Sequence, residues 1–322
     1  MPTLQWIGKD KVINHHTEVP FRVLEHKYGY RGNNPSDTSE THSGNKIIHG
    51  DNLEALKALL PEYEGKIDCV YIDPPYNTGN EGWVYNDNVN DPHIRKWLGE
   101  VVGAEGEDLS RHDKWLCMMY PRLRLLQQLL SPRGVIFISI DDNELSNLRL
   151  ICDEIFGMSN FIGIISWFKK SSPSNDAQYF SNDVEFILVY AKSKSIWRPN
   201  KLQLTEKQLK NYRNPDNDPR GAWNSATFTC NKSREERPNL YYPIINPNTG
   251  EEIFPKETAV WKFSRDVTEQ YQKENLIFWG NDGSASMPRI KKFLSEHKGV
   301  VNRTLWHYDD VDHTQGAALE LK

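Results

Sequence analysis

The chain has 322 residues, 38% of them hydrophobic and 26% charged, which is the composition of a soluble globular protein with room for one large domain or two ordinary ones. Its net charge of −5 excludes a uniformly basic nucleic-acid binder: Lys and Arg number 18 against 17 Asp and Glu from residue 201 onward, and 21 against 27 before it, so any DNA contact has to come from a local basic patch. The four cysteines, at 69, 117, 152 and 230, form no CxxC pair, disulfide framework or zinc pattern, and no apolar leader or membrane-length apolar run is present, so a cytoplasmic protein with reduced thiols and no membrane partner is expected.

Residues 1–45 read as an N-terminal extension, partly loop, because "RGNNPSDTSETHSGN" is polar and rich in turn formers. Order is expected to begin at "KIIHGDN", with Lys46, Ile47 and Ile48 as a short strand ending at Gly50 and Asp51. Leu53, Leu56, Leu59 and Leu60 recur at helical spacing, Pro61 should stop that helix, and "IDCVYI" is the next strand. "KWLCMMYPRLRLLQQLLSPRG" reads as helix, kinked or divided at Pro121, and Arg133 and Gly134 turn the chain into the buried strand "VIFISI". "NELSNLRLICDEIFG" is an amphipathic helix closed by Gly157 and capped by Asp142 or Asn143. "FIGIISWF" and "VEFILVYAK" are two more strands.

This alternation predicts an α/β domain over residues 46–199, a doubly wound sheet with right-handed crossovers. Asn-Pro, Asp-Pro, Arg-Gly and Thr-Gly then recur, so residues 200–310 read as a separate, mostly β and irregular module, and 311–322 as the start of a further part.

The segment "KIDCVYIDPPYNTG", residues 66–79, carries the chemistry. A buried strand ends abruptly in Asp73, Pro74, Pro75 and Tyr76, and ligands of open parallel sheets bind at the carboxyl ends of strands. The two prolines lack amide hydrogens and stiffen the turn. Their carbonyls are expected to point outward, so the cluster offers a carboxylate, two acceptors and an aromatic face. Such a cluster suits a planar aromatic amine: hydrogen bonds from both N–H groups to Asp73 and the Pro74 carbonyl favour a pyramidal nitrogen with an available lone pair. Tyr76 stacking on a base contributes about 1–3 kcal/mol, which offsets part of the cost of extruding that base from a duplex.

"DPPY" after "IIHGDNLEALKALL…IDCVYI" resembles the amino-methyltransferases of DNA. "IDPPYNTGN…YNDN", "WLCMMYPRLRLLQQLLSPRGVIFISIDDNE", "FIGIISWFKKSSPSNDAQYFSNDVEFILVYAKS", "PRGAW" and "LIFWGNDGSASMPRIKKFLSE" resemble the modification subunit of type III restriction systems, over nearly everything from residue 46 onward. The resemblance implies a Rossmann-like methyltransferase fold, S-adenosylmethionine (SAM) as methyl donor, and the N6 amine of adenine in double-stranded DNA as acceptor. It implies Asp73, Pro74, Pro75 and Tyr76 as catalytic residues, Asp51 and Asp73 as cofactor contacts, and residues 200–310 as the target-recognition module. A second copy of the chain and a helicase-nuclease restriction subunit are the partners it implies.

The same resemblance implies a Gly-rich SAM loop after the recognition segment. Gly103 and Gly106 sit in what resembles a variable insertion, and Phe278, Gly280 and Gly283 are spaced off by one within the recognition segment. The expectation is therefore an incomplete cofactor site, and a chain that alone binds SAM poorly and methylates little. A non-catalytic DNA-recognition or assembly module is the alternative. Transfer to cytosine N4 is disfavoured, because the related motif there usually begins with Ser rather than Asp73.

Lys169 and Lys170, followed by Ser171 and Ser172, stand at a strand's carboxyl end as candidate phosphate contacts, on equal terms with a solvated loop. Arg213, Arg220 and Trp223, with Lys232, Arg234 and Arg237, mix cations with aromatics in a way that suits DNA, although surface ion pairs with Glu235 and Glu236 explain the charges nearly as well. "HYDDVDH", with His307, Asp309, Asp310, Asp312 and His313, fits no familiar ligand geometry, and no metal site is expected.

Overall fold

The computed structural model describes residues 3–29, 43–78, 111–170 and 178–312, with isolated positions at 96, 99, 100, 316 and 319. It divides into two compact units, one of Met1–Pro199 with Arg303–Lys322 and the other of Asn200–Asn302.

The first unit opens with two single-turn helices, α1 (Lys9–Val12) and α2 (His15–Glu18). The expected peripheral extension is in part core: Trp6 and Val12 belong to the main apolar cluster, and the Trp6 ring lies 5.7 Å from that of Tyr120. Buried Lys9 is matched by Glu154, whose carboxylate lies 2.7 Å from its ammonium and also accepts the Tyr120 hydroxyl at 3.0 Å. Lys46, Ile47 and Ile48 form no strand, and Ile47 is 99% exposed. Among the described residues no strand lies alongside them, and strand-forming residues without a ladder stay extended coil.

Helix α3 (Asn52–Tyr63) continues through Pro61. The lost amide falls in its last turn, while Leu53 and Leu60 pack on Leu125 and Leu129. Strand β1 (Ile67–Ile72) follows, and α4 (Arg111–Leu129) then runs uninterrupted through Pro121, eleven of its residues buried, so packing outweighs the missing hydrogen bond. Strand β2 (Leu130–Ile140) begins earlier than expected and contains the Arg133-Gly134 step. Its register against β1 jumps between Ile67↔Leu130 and Cys69↔Val135. A β-carbon on Gly134 would stand 2.7 Å from the Ile67 carbonyl oxygen, so glycine is required where the strands close up. Helix α5 (Leu145–Cys152) passes into a π turn ending at Gly157, whose φ of 87° glycine adopts without strain. Strands β3 (Phe161–Phe168) and β4 (Val184–Ala191) complete this half.

The second unit carries α6 (Glu206–Leu209), started by a Thr205–Gln208 capping box. Then come β5 (Trp223–Thr227), β6 (Thr229–Cys230), β7 (Ile244–Ile245), β8 (Glu252–Ile253), β9 (Val260–Trp261), α7 (Arg265–Lys273), β10 (Ile277–Phe278) and β11 (Arg289–Phe293). These strands form a three-stranded sheet in the order β10-β11-β5 and two antiparallel pairs, β6-β9 and β7-β8. Phe228, Tyr242, Trp261, Ile277 and Trp279 fill its core. The Trp261 indole donates to the Tyr242 carbonyl at 2.6 Å, and the Tyr242 hydroxyl lies 2.7 Å from that of Thr268, so the buried polar groups of the aromatics are paired.

The chain returns to the first unit at Arg303, earlier than the expected boundary at 310, because β12 (Leu305–His307) pairs with β3. A last turn of helix, α8 (Tyr308–Val311), follows. The five-stranded sheet has the order β1-β2-β4-β3-β12. Strands β1 and β2 are parallel, β4 is antiparallel to both its neighbours, and β12 is parallel to β3. The class is α/β, with a mixed sheet. Strands β1, β2, β3 and β12 all end on one edge, where β4 begins.

Candidate functional site

That edge gathers the turn after β1, the Asp141–Glu144 segment after β2, Lys169 after β3 and Glu185 at the start of β4. Asp73 is exposed. Tyr76 is half-buried against the main core, and its hydroxyl donates to Glu185 Oε2 at 3.4 Å. Burial first, then the negative charges of Glu185 and Asp73, push the Tyr76 phenol far above its ordinary range, so it remains a neutral donor with an intact ring. The Pro75 carbonyl is not an outward acceptor: the Trp115 indole donates to it at 2.6 Å. One of the two expected carbonyls thus anchors the turn to α4.

Asn77 follows with φ 60°, a left-handed conformation that Asn tolerates better than most residues. The residue is 1% exposed, and its side-chain amide donates to Glu144 Oε1 and, at 3.3 Å, to the Arg111 carbonyl. Its Oδ1 has no partner among the described residues, and a buried acceptor in that state costs about 1–3 kcal/mol. The conformation of this turn is therefore held against a local cost by what surrounds it.

Glu144 was not singled out from the sequence, where it reads as an ordinary acidic residue at a helix start. The structure buries it completely. Besides Asn77 it accepts from Asn147 Nδ2 at 2.8 Å and lies 2.6 Å from His112 Nδ1. No spacing rule reveals this, since its partners come from three separate segments. The expected Asp142 or Asn143 cap is replaced by a different device. Asp141 accepts from the Asn143 amide at 3.0 Å and from its side chain at 2.7 Å, and the residue preceding α5 is Glu144, without a side-chain capping bond. Burial raises the Asp141 carboxyl above its usual range, with the Asn143 bonds opposing.

Lys169 forms an ion pair with Glu185, the carboxylate that also meets Tyr76, so its charge is directed to the tyrosine's partner. Lys170 continues the same edge. Ser171, Ser172, Gly103, Gly106 and His313 lie outside the described residues. Asp51 is exposed at the head of α3, with Oδ1 accepting from the amides of Leu53 at 2.9 Å and Glu54 at 3.1 Å. It is first of all a helix cap.

In the second unit the candidate DNA residues fall into three situations. Arg213 is exposed, its backbone paired with that of Trp223. Arg220 folds back in a fork onto Asp218, at 2.8 and 2.7 Å, with its guanidinium 4.4 Å from the centre of the Phe293 ring. Trp223 is 4% exposed, donates its indole N–H to Asp216 at 2.9 Å and meets Phe278 edge-on at 4.8 Å. The expectation of a DNA-facing Trp223 gives way to a core tryptophan, whereas Arg220 is an exposed side chain that pairs with buried Asp218. Buried Lys291 completes the cluster, bridging Asp216 and, at 3.1 Å, Asp218. The Arg220 guanidinium, with Lys291 behind it, holds the Asp218 carboxyl well below the usual range. Lys232 pairs with Glu236 at 2.8 Å on the surface.

Gly280 and Gly283 belong to a loop of this unit that borders a cavity of about 660 Å³, lined also by Asp216, Asn248, Asp282 and Lys291. His307 Nδ1 accepts from the Asp309 amide at 3.3 Å, and no metal-binding cluster is found among the described residues.

A family model described as DNA methylase matches residues 67–257. The Mod subunit of the type III restriction-modification enzyme StyLTI of Salmonella typhimurium is 33% identical over 94% of this chain and 46% of its own length. The EcoP15I Mod subunit of Escherichia coli is 36% identical over 95% of the chain and 53% of its own length. The chain thus spans about half the length of these curated relatives. A solved structure of a DNA modification methylase from Thermus thermophilus overlaps 50% of the chain and 58% of its own, at 20% identity and a TM-score of 0.30, too slight a superposition to carry an argument.

Proposed function

The chain belongs to the DNA methylase family, and on that premise we propose that it carries the acceptor site of a DNA adenine-N6 methyltransferase. The turn after β1 supports this reading most: an exposed carboxylate and a half-buried neutral tyrosine stand beside a carbonyl anchored by Trp115. Asp73 and the Pro74 carbonyl accept the two N–H groups of an extruded adenine, and Tyr76 lies against its ring. The amine nitrogen so held offers its lone pair to the methyl carbon. The bond from nitrogen to carbon forms as that from carbon to sulfur breaks. The nitrogen, now cationic, gives up a proton for which Asp73 is the nearest acceptor in the cluster. Because the methyl group arrives on an activated sulfonium, holding the amine in line supplies much of the rate.

Asp51 and Asp73 are both exposed carboxylates, an acceptor chemistry that fits the hydroxyls and ammonium of SAM, and they are the residues assigned to hold it. Asp at position 73, rather than Ser, supports adenine over cytosine as acceptor. The second unit is proposed as the recognition module, and Lys169, Lys170 and Arg213 as its and the sheet edge's points of approach to phosphate, Lys169 through exchange of Glu185 for the backbone. The relatives are Mod subunits of restriction-modification enzymes. A restriction subunit and a second copy of the chain are accordingly the proposed partners, acting on double-stranded DNA in the cytoplasm. No described helix is long and apolar enough to cross a membrane.

Transfer of tritiated methyl from SAM into mixed-sequence duplex DNA tests the reading. Label in N6-methyldeoxyadenosine that disappears with Asp73→Ala supports it. Label that persists in the variant would contradict the role given to Asp73, and DNA retention with no label at all from the unaltered chain favours the non-catalytic module.

A further inference from the structure

We infer that Glu144 is a positioning residue for the acceptor site: its buried carboxylate holds Asn77, and through Asn77 the Asp73–Tyr76 turn, in the orientation that methyl transfer requires. The inference rests on the adenine reading above and adds to it a residue that touches neither base nor methyl.

Asn77 is joined directly to Tyr76 and has φ 60°, so the direction of the chain leaving the tetrapeptide depends on what holds its side chain. Its amide nitrogen donates to Glu144, whereas its Oδ1 has no partner among the described residues. The amide orientation is thus set by Glu144, because turning it over would aim a carbonyl oxygen at a buried carboxylate. Glu144 also binds Asn147, on α5, and His112, at the start of α4. The same first turns of α4 supply Arg111, whose carbonyl accepts from Asn77, and Trp115, which holds Pro75. One carboxylate therefore fixes the acceptor turn to both helices that flank it.

Stability alone does not account for this carboxylate. Two side-chain amides and an imidazole at 43% exposure solvate it, without a Lys or Arg among its described partners, and an apolar residue of similar volume would cost less to bury. What the arrangement provides is geometry. The acidic function is spent on donors from three segments that must keep their relative places.

Asn77→Asp sets two carboxylates against each other, Glu144→Gln leaves one acceptor oxygen for the three groups that the two oxygens now meet, and the double variant exchanges amide and carboxylate and so restores one hydrogen bond of the network. The four chains are compared by hydrogen exchange at the amides of Tyr76 and Asn77, by kcat and KM for DNA, and by thermal midpoint. Each single variant should speed exchange at these amides and lower kcat about tenfold, with KM for DNA changed less than about threefold. The double variant should recover part of both losses, which a general loss of stability would not do. Exchange at Tyr76 and Asn77 unchanged by Asn77→Asp, or a double variant no better than the singles in exchange, would overturn the inference. If the unaltered chain transfers no methyl, the adenine reading fails, while the exchange comparison still decides whether Glu144 holds the turn.

Discussion

The Trp115 indole donates a 2.6 Å hydrogen bond to the carbonyl of Pro75, tying the acceptor turn to the second turn of α4. Trp115 is fully buried, so nothing in solvent can replace that donor. Trp115→Phe keeps an aromatic ring in place and leaves the carbonyl unsatisfied. Methyl transfer should fall about tenfold, equivalent to about 1.4 kcal/mol of transition-state stabilisation, with DNA affinity little changed. Steady-state kinetics on the two chains checks this.

The cluster of Asp216, Asp218, Arg220, Trp223 and Lys291 is a stabilising centre of the second unit. Trp223→Ala should cost about 3–5 kcal/mol through lost packing, and Arg220→Ala about 1 kcal/mol, because solvent screens its exposed guanidinium and Lys291 still pairs with Asp218. Urea unfolding followed by tryptophan fluorescence reads both. If either residue acts instead by direct DNA contact, its loss lowers DNA retention without lowering the unfolding midpoint.

The same cluster sets an acid limit. Arg220 and Lys291 depress the Asp218 carboxyl in the folded state, so the unfolded chain takes up its proton first as the pH falls. The resulting stabilisation is fully present above about pH 4, the ordinary carboxylate range, and is lost as pH falls toward the folded value. Asp218→Asn should remove this component, giving a chain less stable at neutrality whose stability declines less steeply on acidification. Thermal midpoints measured from pH 6 down to about pH 3 would show it.

Thiol chemistry offers an independent check on the core. Burial pushes the Cys117 thiol up to about 12 and that of Cys152 higher still, whereas Cys69 is exposed on β1. Native alkylation at pH 8 should modify Cys69 first and spare Cys117 and Cys152 until the chain unfolds, as mapped by mass spectrometry.

Gly134 tests the strand register. Gly134→Ala would place a β-carbon 2.7 Å from the Ile67 carbonyl oxygen and 3.0 Å from that of Ser131. Backbone must move, and a destabilisation of about 1–3 kcal/mol is expected. A neutral substitution would argue against the jump in register between β1 and β2.

The elements written as continuous apolar runs were legible: β3, β4 and most of β2 follow directly from residue order, and so does the position of β1 with its terminal turn. But β1 is not the buried strand expected, because it stands at the end of the described sheet with Asp68, Cys69 and Tyr71 exposed. What the sequence concealed depends on partners far along the chain. Lys46, Ile47 and Ile48 have strand-forming side chains, yet a strand also needs a neighbour, which local pattern does not contain. Val12 reaches the main core from a single-turn helix and Trp6 from the coil before it, segments too short to show a period. Pro121 marks a break by local rules, and the buried face of α4 overrides it. Around the site, the acid, prolines and tyrosine were readable because they are contiguous. Glu144 was not, because Asn77 lies 67 residues from it and His112 lies 32 residues away. Trp223 and Arg220 suggested a DNA surface by type alone, and only their partners Asp216 and Asp218 show how they are used.

In the proposed reaction the turn after β1 presents acceptors and a ring to an aromatic amine. Saturation-transfer NMR with free adenosine and with purine riboside, which lacks the amine, tests it without depending on DNA sequence or on methyl transfer. Transfer to the adenosine base protons, weaker for purine riboside and lost with Asp73→Ala and with Tyr76→Ala, is the predicted result. Equal transfer to both nucleosides, or an adenosine signal indifferent to the loss of Asp73, would contradict it.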